Sequence, residues 1–169
     1  MEAIRNYYQN MGVDNYYKTF GNNYSNPHYD IIKELLENIN INGNILDLCA
    51  GSGEVTNIIN KENVIGCDPY TFNLYEQNTS KKCLKYSFLD IANGALNSYK
   101  FDYIVCSFAM HLCPKSLLNK LLYQLALISN KLIIITPNKN PEIKNYWDLD
   151  DEIIHRRVRL RFYSSNLRI

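Results

Sequence analysis

The feature that most constrains this chain is a set of short runs that are apolar nearly throughout, each separated from the next by a dozen or more residues with helical spacing. Residues 44–49, 64–67, 101–106 and 131–136 are the clearest, and 83–88 is a weaker fifth. A strand without polar alternation must be covered on both faces, and long crossovers between such strands exclude simple hairpins. The intervening segments supply the covers. Ile31, Ile32, Leu35, Leu36 and Ile39 fall at three-and-four spacing in a helix opened by Pro27 and ended by Asn42-Gly43. Shorter helices are expected over 54–60 and 72–78, and a long one over 115–128 with Leu117, Leu118, Leu121, Leu122 and Leu125 inward. The expectation is an α/β fold, a mostly parallel sheet with helices on both faces. In 153–163, Val158, Leu160 and Phe162 alternate with Arg157, Arg159 and Arg161. That reads as one strand with a packed face and a solvated basic face, antiparallel at the sheet edge.

At 169 residues with 46% hydrophobic content the chain fits a single domain over 1–169. A domain of this size buries roughly two thirds of its extended surface and folds without disulfides or a structural metal. With 18 Lys+Arg against 17 Asp+Glu, it is not a strongly basic module. Residues 1–27 carry Tyr7, Tyr8, Tyr16, Tyr17, Phe20 and Tyr24 among polar residues, too many rings for simple disorder, and are expected to form an aromatic-rich cap over the domain. Cys49, Cys67, Cys83, Cys106 and Cys113 are odd in number and form no Cys-x-x-Cys pair or metal-finger spacing, so they read as small buried hydrophobes in a reducing compartment and no metal is expected. No apolar run reaches the roughly 20 residues of a membrane helix, and residues 1–10 lack the apolar centre of a signal peptide. A cytoplasmic protein with no membrane contact is expected.

Parallel sheets of this kind bind ligands at the carboxyl ends of their strands. Four loops there are notable. Asp47-Leu48-Cys49-Ala50-Gly51-Ser52-Gly53-Glu54 follows the first strand, and its glycines let backbone approach a ligand, although an ordinary tight turn explains them equally well. Asp68 ends the second strand, where a carboxylate accepts ribose hydroxyls or caps the next helix. Asp90 follows the third strand, placed to accept the exocyclic amino proton of an adenine, and Ser107-Phe108-Ala109-Met110-His111 follows the fourth.

With these motifs in order, residues 28–163 resemble the class I S-adenosylmethionine-dependent methyltransferases. Asp47 to Gly53 looks like their glycine-rich first motif, Gly66-Cys67-Asp68-Pro69 like the acidic end of their second strand, Phe88-Leu89-Asp90-Ile91 like the adenine-contacting acid, and 101–107 like their fourth motif. The resemblance implies a Rossmann-like sheet with a shortened C-terminal part and S-adenosylmethionine as cofactor. It implies that Asp47 with Cys49 and the glycines Gly51 and Gly53 hold the methionine portion, Asp47 at its ammonium directly or through water, that Asp68 with Pro69 holds the ribose, and that Tyr70 stacks near the ribose or the adenine. Asp90 and Ile91 then frame the adenine, and Ser107 and Phe108 lie by the sulfonium. The rival is a nicotinamide-dependent oxidoreductase, whose fingerprint wants a third glycine or alanine where Thr56 stands. Glu54, directly after Gly53, would repel a pyrophosphate and suits a cationic donor. A methyltransferase-like, non-catalytic partner subunit is a further alternative.

The acceptor is less legible. His111 is the candidate to contact it and take its proton, with a structural loop histidine as the competing reading. Tyr16, Tyr24, His28, Met110 and Asn138 are further candidates to line the acceptor pocket. Ser107-Phe108-Ala109-Met110 lacks the prolines and amide of the Asn/Asp-Pro-Pro-Tyr/Phe motif, which disfavours adenine amino methylation in DNA and leaves a small-molecule, protein or RNA acceptor, with a partner chain as an open source of recognition. Arg156, Arg157, Arg159, Arg161 and Arg168 form the one basic cluster, a contact for phosphate or, as the favoured reading, a charged edge that resists aggregation.

Overall fold

A computed structural model describes residues 28–167. The elements in chain order are α1 (Tyr29–Leu36), β1 (Ile45–Leu48), α2 (Glu54–Ile59), β2 (Val64–Cys67), α3 (Phe72–Thr79), β3 (Cys83–Leu84), α4 (Phe88–Ala92), β4 (Tyr103–Ser107), a 3-10 turn (Met110–Leu112), α5 (Lys115–Ile128), β5 (Lys131–Thr136), β6 (Trp147–His155) and β7 (Val158–Ser165). Pro27, the aromatic segment with Tyr16 and Tyr24, and Arg168 lie outside the described residues.

The strands form one seven-stranded sheet in the order β3-β2-β1-β4-β5-β7-β6. The first five run parallel, and β7 is antiparallel to both β5 and β6. Strand order reverses between β1 and β4, so the loops after these two strands open the crevice in which α/β sheets place ligands. Apolar strands are sandwiched as expected. Ile104, Leu132 and Ile134 pack with Leu121, Leu122 and Leu125 of α5 on one face, whereas Val105, Ile133 and Ile135 pack with Ile32, Leu35 and Leu36 of α1 on the other. Among the described residues, no helix is long and apolar enough to cross a membrane.

Two local expectations are corrected. The weak fifth run pairs only over Cys83–Leu84, because Ser87 and Asp90 form a reciprocal capping box that starts α4 at Phe88. The terminal segment is not one strand but a hairpin. Arg156 and Arg157 both adopt left-handed φ values, 50° and 67°, and make the two-residue turn between β6 and β7. Nor does the β7 arginine row stand at the sheet edge, since β7 lies between β5 and β6. Glu152 of β6 accepts from Arg159 at 3.0 Å and from Arg161 at 2.7 Å, and Arg161 is buried.

Tyr75 of α3 is wholly buried and occupies the space that two glycines leave. A Cβ on Gly66 of β2 would lie 2.5 Å from the Tyr75 ring, and one on Gly53 would lie 2.4 Å from Thr79 and 3.2 Å from the same ring. Gly66→Ala is therefore expected to lower stability by about 1–3 kcal/mol by overpacking. An unchanged chemical-denaturation midpoint would show that α3 can shift away from β2 without loss.

Candidate functional site

A cavity of about 470 Å³ opens at the carboxyl ends of the strands. Leu48, Cys49 and Gly51 line it from β1, Asp68, Pro69 and Tyr70 from β2, and Tyr86, Ser87, Phe88, Leu89 and Ile91 from the β3–α4 segment. Ser107, Phe108, Ala109, Leu112, Pro114 and Leu117 close it from the segment between β4 and α5. A small polar recess adjoins it, sharing Cys49, Gly51 and Ser107 and adding Asp47, Glu54 and Ile32.

The turn after β1 is held by side chains rather than by a ligand. Gly51, at φ 58°, donates its N–H to Asp68 Oδ2 at 3.1 Å, and its carbonyl accepts from Thr71 Oγ1 at 2.7 Å. Asp68 Oδ1 accepts the N–H groups of Tyr70 at 2.9 Å and Thr71 at 3.0 Å. A carboxylate offers about four lone-pair sites, so these bonds leave roughly one acceptor direction, on Oδ2, for a ligand hydroxyl. The expectation that Asp68 serves both hydroxyls of a ribose is narrowed accordingly, and its capping role proves real alongside. The N–H groups of Ala50 and Gly53 are also spent internally, on the carbonyls of Cys67 and Ala50.

Asp47 is fully buried at the floor of the recess. Burial, partly opposed by the hydroxyl of Thr56 bonded to its Oδ2 at 2.7 Å, pushes its carboxyl up to about 8. Thr56 Oγ1 also lies 2.8 Å from the Tyr75 hydroxyl, making a chain from Tyr75 through Thr56 to Asp47. This is why a threonine stands where a dinucleotide fingerprint wants glycine: its hydroxyl carries the link, and its side chain fills the gap between helix and strand. Ser107 Oγ is shut off from solvent and has no hydrogen-bond partner among the described residues, although it borders both cavity and recess. Such an atom awaits a polar ligand.

All five cysteines are free. A hydrogen bond with Cys106 and then burial push the Cys49 thiol up, and burial pushes Cys67 to about 12, so neither is a nucleophile near neutral pH. His28 stacks on Phe108, with ring centroids 4.8 Å apart, and burial holds its pKa below the usual histidine value. It thereby reaches the cavity rim through Phe108, which is itself left-handed at φ 56°.

The structure thus gathers Cys49, Gly51, Asp68, Pro69, Tyr70, Ile91, Ser107 and Phe108 on one cavity, with Asp47 beside it. Other expected site residues stand elsewhere. Gly53 borders neither space and serves the close approach of α2 to α3. Asp90 caps α4, its Oδ2 accepting the Ser87 N–H at 3.0 Å, and its neighbours Ser87, Phe88, Leu89 and Ile91 form the wall instead. Met110 is 1% exposed within the apolar core. His111 lies on the 3-10 turn between lining residues Ala109 and Leu112 without lining the cavity. Asn138 spends its N–H on Thr136 Oγ1 in a turn. The wall residues Tyr86, Ser87 and Leu117 went unforeseen; the Ser-x-x-Asp box at 87–90 was the signal that would have turned that segment inward.

No family model matches the chain. It is 30% identical over 219 aligned positions to the uncharacterized protein C17A5.05c of Schizosaccharomyces pombe, with 91% of this chain and 89% of that protein covered. Among solved structures it is similar to the magnesium protoporphyrin IX methyltransferase ChlM of Synechocystis with bound SAM (TM-score 0.62, 14% identity, 98% of this chain and 96% of that one). It is also similar to a TehB-like SAM-dependent methyltransferase of Corynebacterium glutamicum (TM-score 0.64, 12% identity, 98% and 99%). The N-methyltransferase NodS of Bradyrhizobium japonicum in complex with S-adenosyl-L-homocysteine has the same shape (TM-score 0.64, 10% identity, 85% and 90%). The chain therefore belongs to one family with the fission-yeast protein, and its fold is that of the class I S-adenosylmethionine-dependent methyltransferases.

Proposed function

We infer that the protein is an S-adenosylmethionine-dependent methyltransferase acting on a small-molecule, protein or RNA acceptor. One observation carries the choice of cofactor: the backbone N–H groups of the glycine turn are already bonded within the protein, to Asp68, Cys67 and Ala50. A pyrophosphate needs those donors. What the turn presents instead is acid, from Glu54 and Asp68 with Asp47 as a carboxyl that a bound cation would ionise, which suits a ligand with an ammonium, a sulfonium and hydroxyls and disfavours a nicotinamide dinucleotide.

The residues present fit adenosylmethionine. Asp47 and Glu54 would hold its ammonium in the recess, Asp68 Oδ2 a ribose hydroxyl, and Phe88, Leu89, Ile91 and Leu112 its adenine, with Ser107 Oγ supplying a hydrogen bond at the junction. When bound, the cofactor supplies a methyl group activated by positive sulfur for in-line displacement. The chain's part is to orient the reactants and exclude water. The apolar walls do the second, and the clamped turn does the first. Neither His111, on the turn between the lining residues Ala109 and Leu112, nor His28, stacked on the lining Phe108 and held toward its neutral form by burial, lines the cavity itself, and both are candidates to take the acceptor's proton. A catalytically silent partner would have no need of a deep cavity with a waiting hydroxyl.

Calorimetry should detect binding of adenosylmethionine and adenosylhomocysteine and none of nicotinamide dinucleotides. Asp68→Ala is expected to weaken binding at least about tenfold, in keeping with about 1.5–3 kcal/mol for a hydrogen bond to a charged group. Preference for a nicotinamide cofactor, or no binding of adenosylmethionine at high micromolar concentration, would overturn the assignment.

Asp47 adds a pH signature. With its carboxyl raised to about 8, the folded protein holds a proton that the unfolded chain has lost between about pH 4 and 8, so this group makes stability fall as pH rises through that window. A cation bound in the recess lowers that pKa. Cofactor binding at pH 7 should then release close to one proton, read from the buffer-ionisation dependence of the binding enthalpy. Asp47→Asn should abolish the release and flatten the stability profile. Equal enthalpies in all buffers would place the cation away from Asp47.

A further inference from the structure

The outermost strand among the described residues, β6, is a long edge whose one interruption is a bulge between Leu149 and Asp151, which leaves Asp151–His155 regular. It runs nine residues, Trp147–His155, with neither proline nor lysine. Natural edges are commonly short or blunted by such residues. Of the six exposed large apolar side chains among the described residues, three lie on it: Leu149 at 52%, Ile153 at 40% and Ile154 at 57%. None of this belongs to the cofactor cavity, which lies several strands away.

The hairpin fixes which backbone groups face outward. Because the turn is two residues long, His155 and Val158 exchange both backbone hydrogen bonds, and Ile153 with Leu160 does the same two residues on. The N–H and C=O groups of Glu152 and Ile154 therefore point away from β7. Among the described residues the Glu152 N–H finds the side chain of Asp151, at 2.8 Å, and no backbone carbonyl. Side chains divide between the faces accordingly: Asp151, Ile153 and His155 share the α1 face, where His155 meets Glu34 of α1.

The charge along this edge is split. Asp148, Asp150 and Asp151 occupy its first half, with Asp150 meeting Lys131 and Ser164, and His155, Arg156 and Arg157 its end and the hairpin tip, where Glu34 of α1 meets both His155 and Arg156 and leaves the tip net positive. A strand acidic at one end and basic at the other is complementary to itself when turned end for end.

We propose that β6 pairs antiparallel with β6 of a second copy of this chain about a two-fold axis at Ile153, joining two sheets into one. In that register Ile153 faces Ile153 of the other copy as a non-hydrogen-bonded pair, where side chains approach closest. Glu152 and Ile154, whose backbone groups point outward, become the hydrogen-bonded pairs on either side. Asp151 comes opposite His155, and the bulge between Leu149 and Asp151 ends the regular pairing there. An axis one residue away, at Glu152, would set two carboxylates against each other, so charge favours the register centred on Ile153. The contact is isologous and closes on itself, leaving no edge for further growth.

Sedimentation velocity on the full chain at tens of micromolar should find a dimer. Ile153→Lys and Ile153→Glu each place like charges on the axis and should each raise the dissociation constant at least tenfold, while circular dichroism and cooperative melting report an intact fold. An equimolar mixture of the two variants should recover the dimer, because Lys then faces Glu. A monomeric native chain would overturn the proposal and leave the edge to a strand of another protein. A dimer indifferent to both substitutions, or variants that fail to recover on mixing, would overturn it as well.

Discussion

The site depends on the side chain of Asp68 reaching back across the sheet to the loop of the neighbouring strand. One carboxylate, 6% exposed, takes the N–H groups of Gly51, Tyr70 and Thr71, and Thr71 returns a hydroxyl to the Gly51 carbonyl. Burying a charged group is costly unless its lone pairs are satisfied, and here the protein's own backbone satisfies them. The loops after β1 and β2 are thereby a single rigid piece before any ligand arrives. The same bonds decide the chemistry of that piece. Amides that in a dinucleotide-binding turn would stay open for phosphate are closed, and what remains facing the cavity is negative.

Behind this clamp stands a second constraint, the ring of Tyr75. It needs glycine at 66 and glycine at 53, and it returns a hydroxyl contact to Thr56, which bonds Asp47. Gly53, which looks like a ligand-binding residue, is therefore held by packing. Asp47, which looks like an ordinary acid, is instead buried deeply enough to keep a proton near neutral pH. The two constraints meet at the turn between Cys49 and Gly53. The Tyr75–Thr56–Asp47 chain ties α3, remote from the cavity in sequence, to the floor of the recess.

The sheet was legible because strands buried on both faces cannot hide their composition. Residues 45–48, 64–67 and 131–136 announce themselves as apolar runs, and the long helix at 115–128 by its leucine spacing. Strand-end residues were legible for the same topological reason: Gly51, Asp68 and Ser107 must lie on one rim once their strands are parallel neighbours. What escaped was set by side-chain bonds that pattern does not display. Ser87 and Asp90 look alike as loop residues until their reciprocal bonds make them a helix start, which commits Asp90 Oδ2 to the Ser87 N–H and brings Phe88 and Leu89 to the cavity wall. Arg156-Arg157 is a poor turn sequence, since both residues must go left-handed without glycine or asparagine, so the hairpin was read as continuous strand. Met110 and His111 follow a strand end in sequence, but the 3-10 turn folds Met110 into the core.

The hairpin that the sequence concealed also decides how the molecule is placed among others. Because β7 returns antiparallel between β5 and β6, β6 regains the direction of the parallel strands, and its basic tip lies at the same rim as the cavity. Strands lie about 4.8 Å apart, so the tip is roughly 20 Å from the turn after β1, too far for Arg156 or Arg157 to touch a ligand there. A two-fold axis perpendicular to the sheet reverses strand direction. In a pair joined through β6, the two cavities open on opposite rims, each clear of the other copy, while each basic tip falls beside the other's acidic segment. Pairing at this edge thus satisfies the unbonded strand and leaves both acceptor approaches unobstructed.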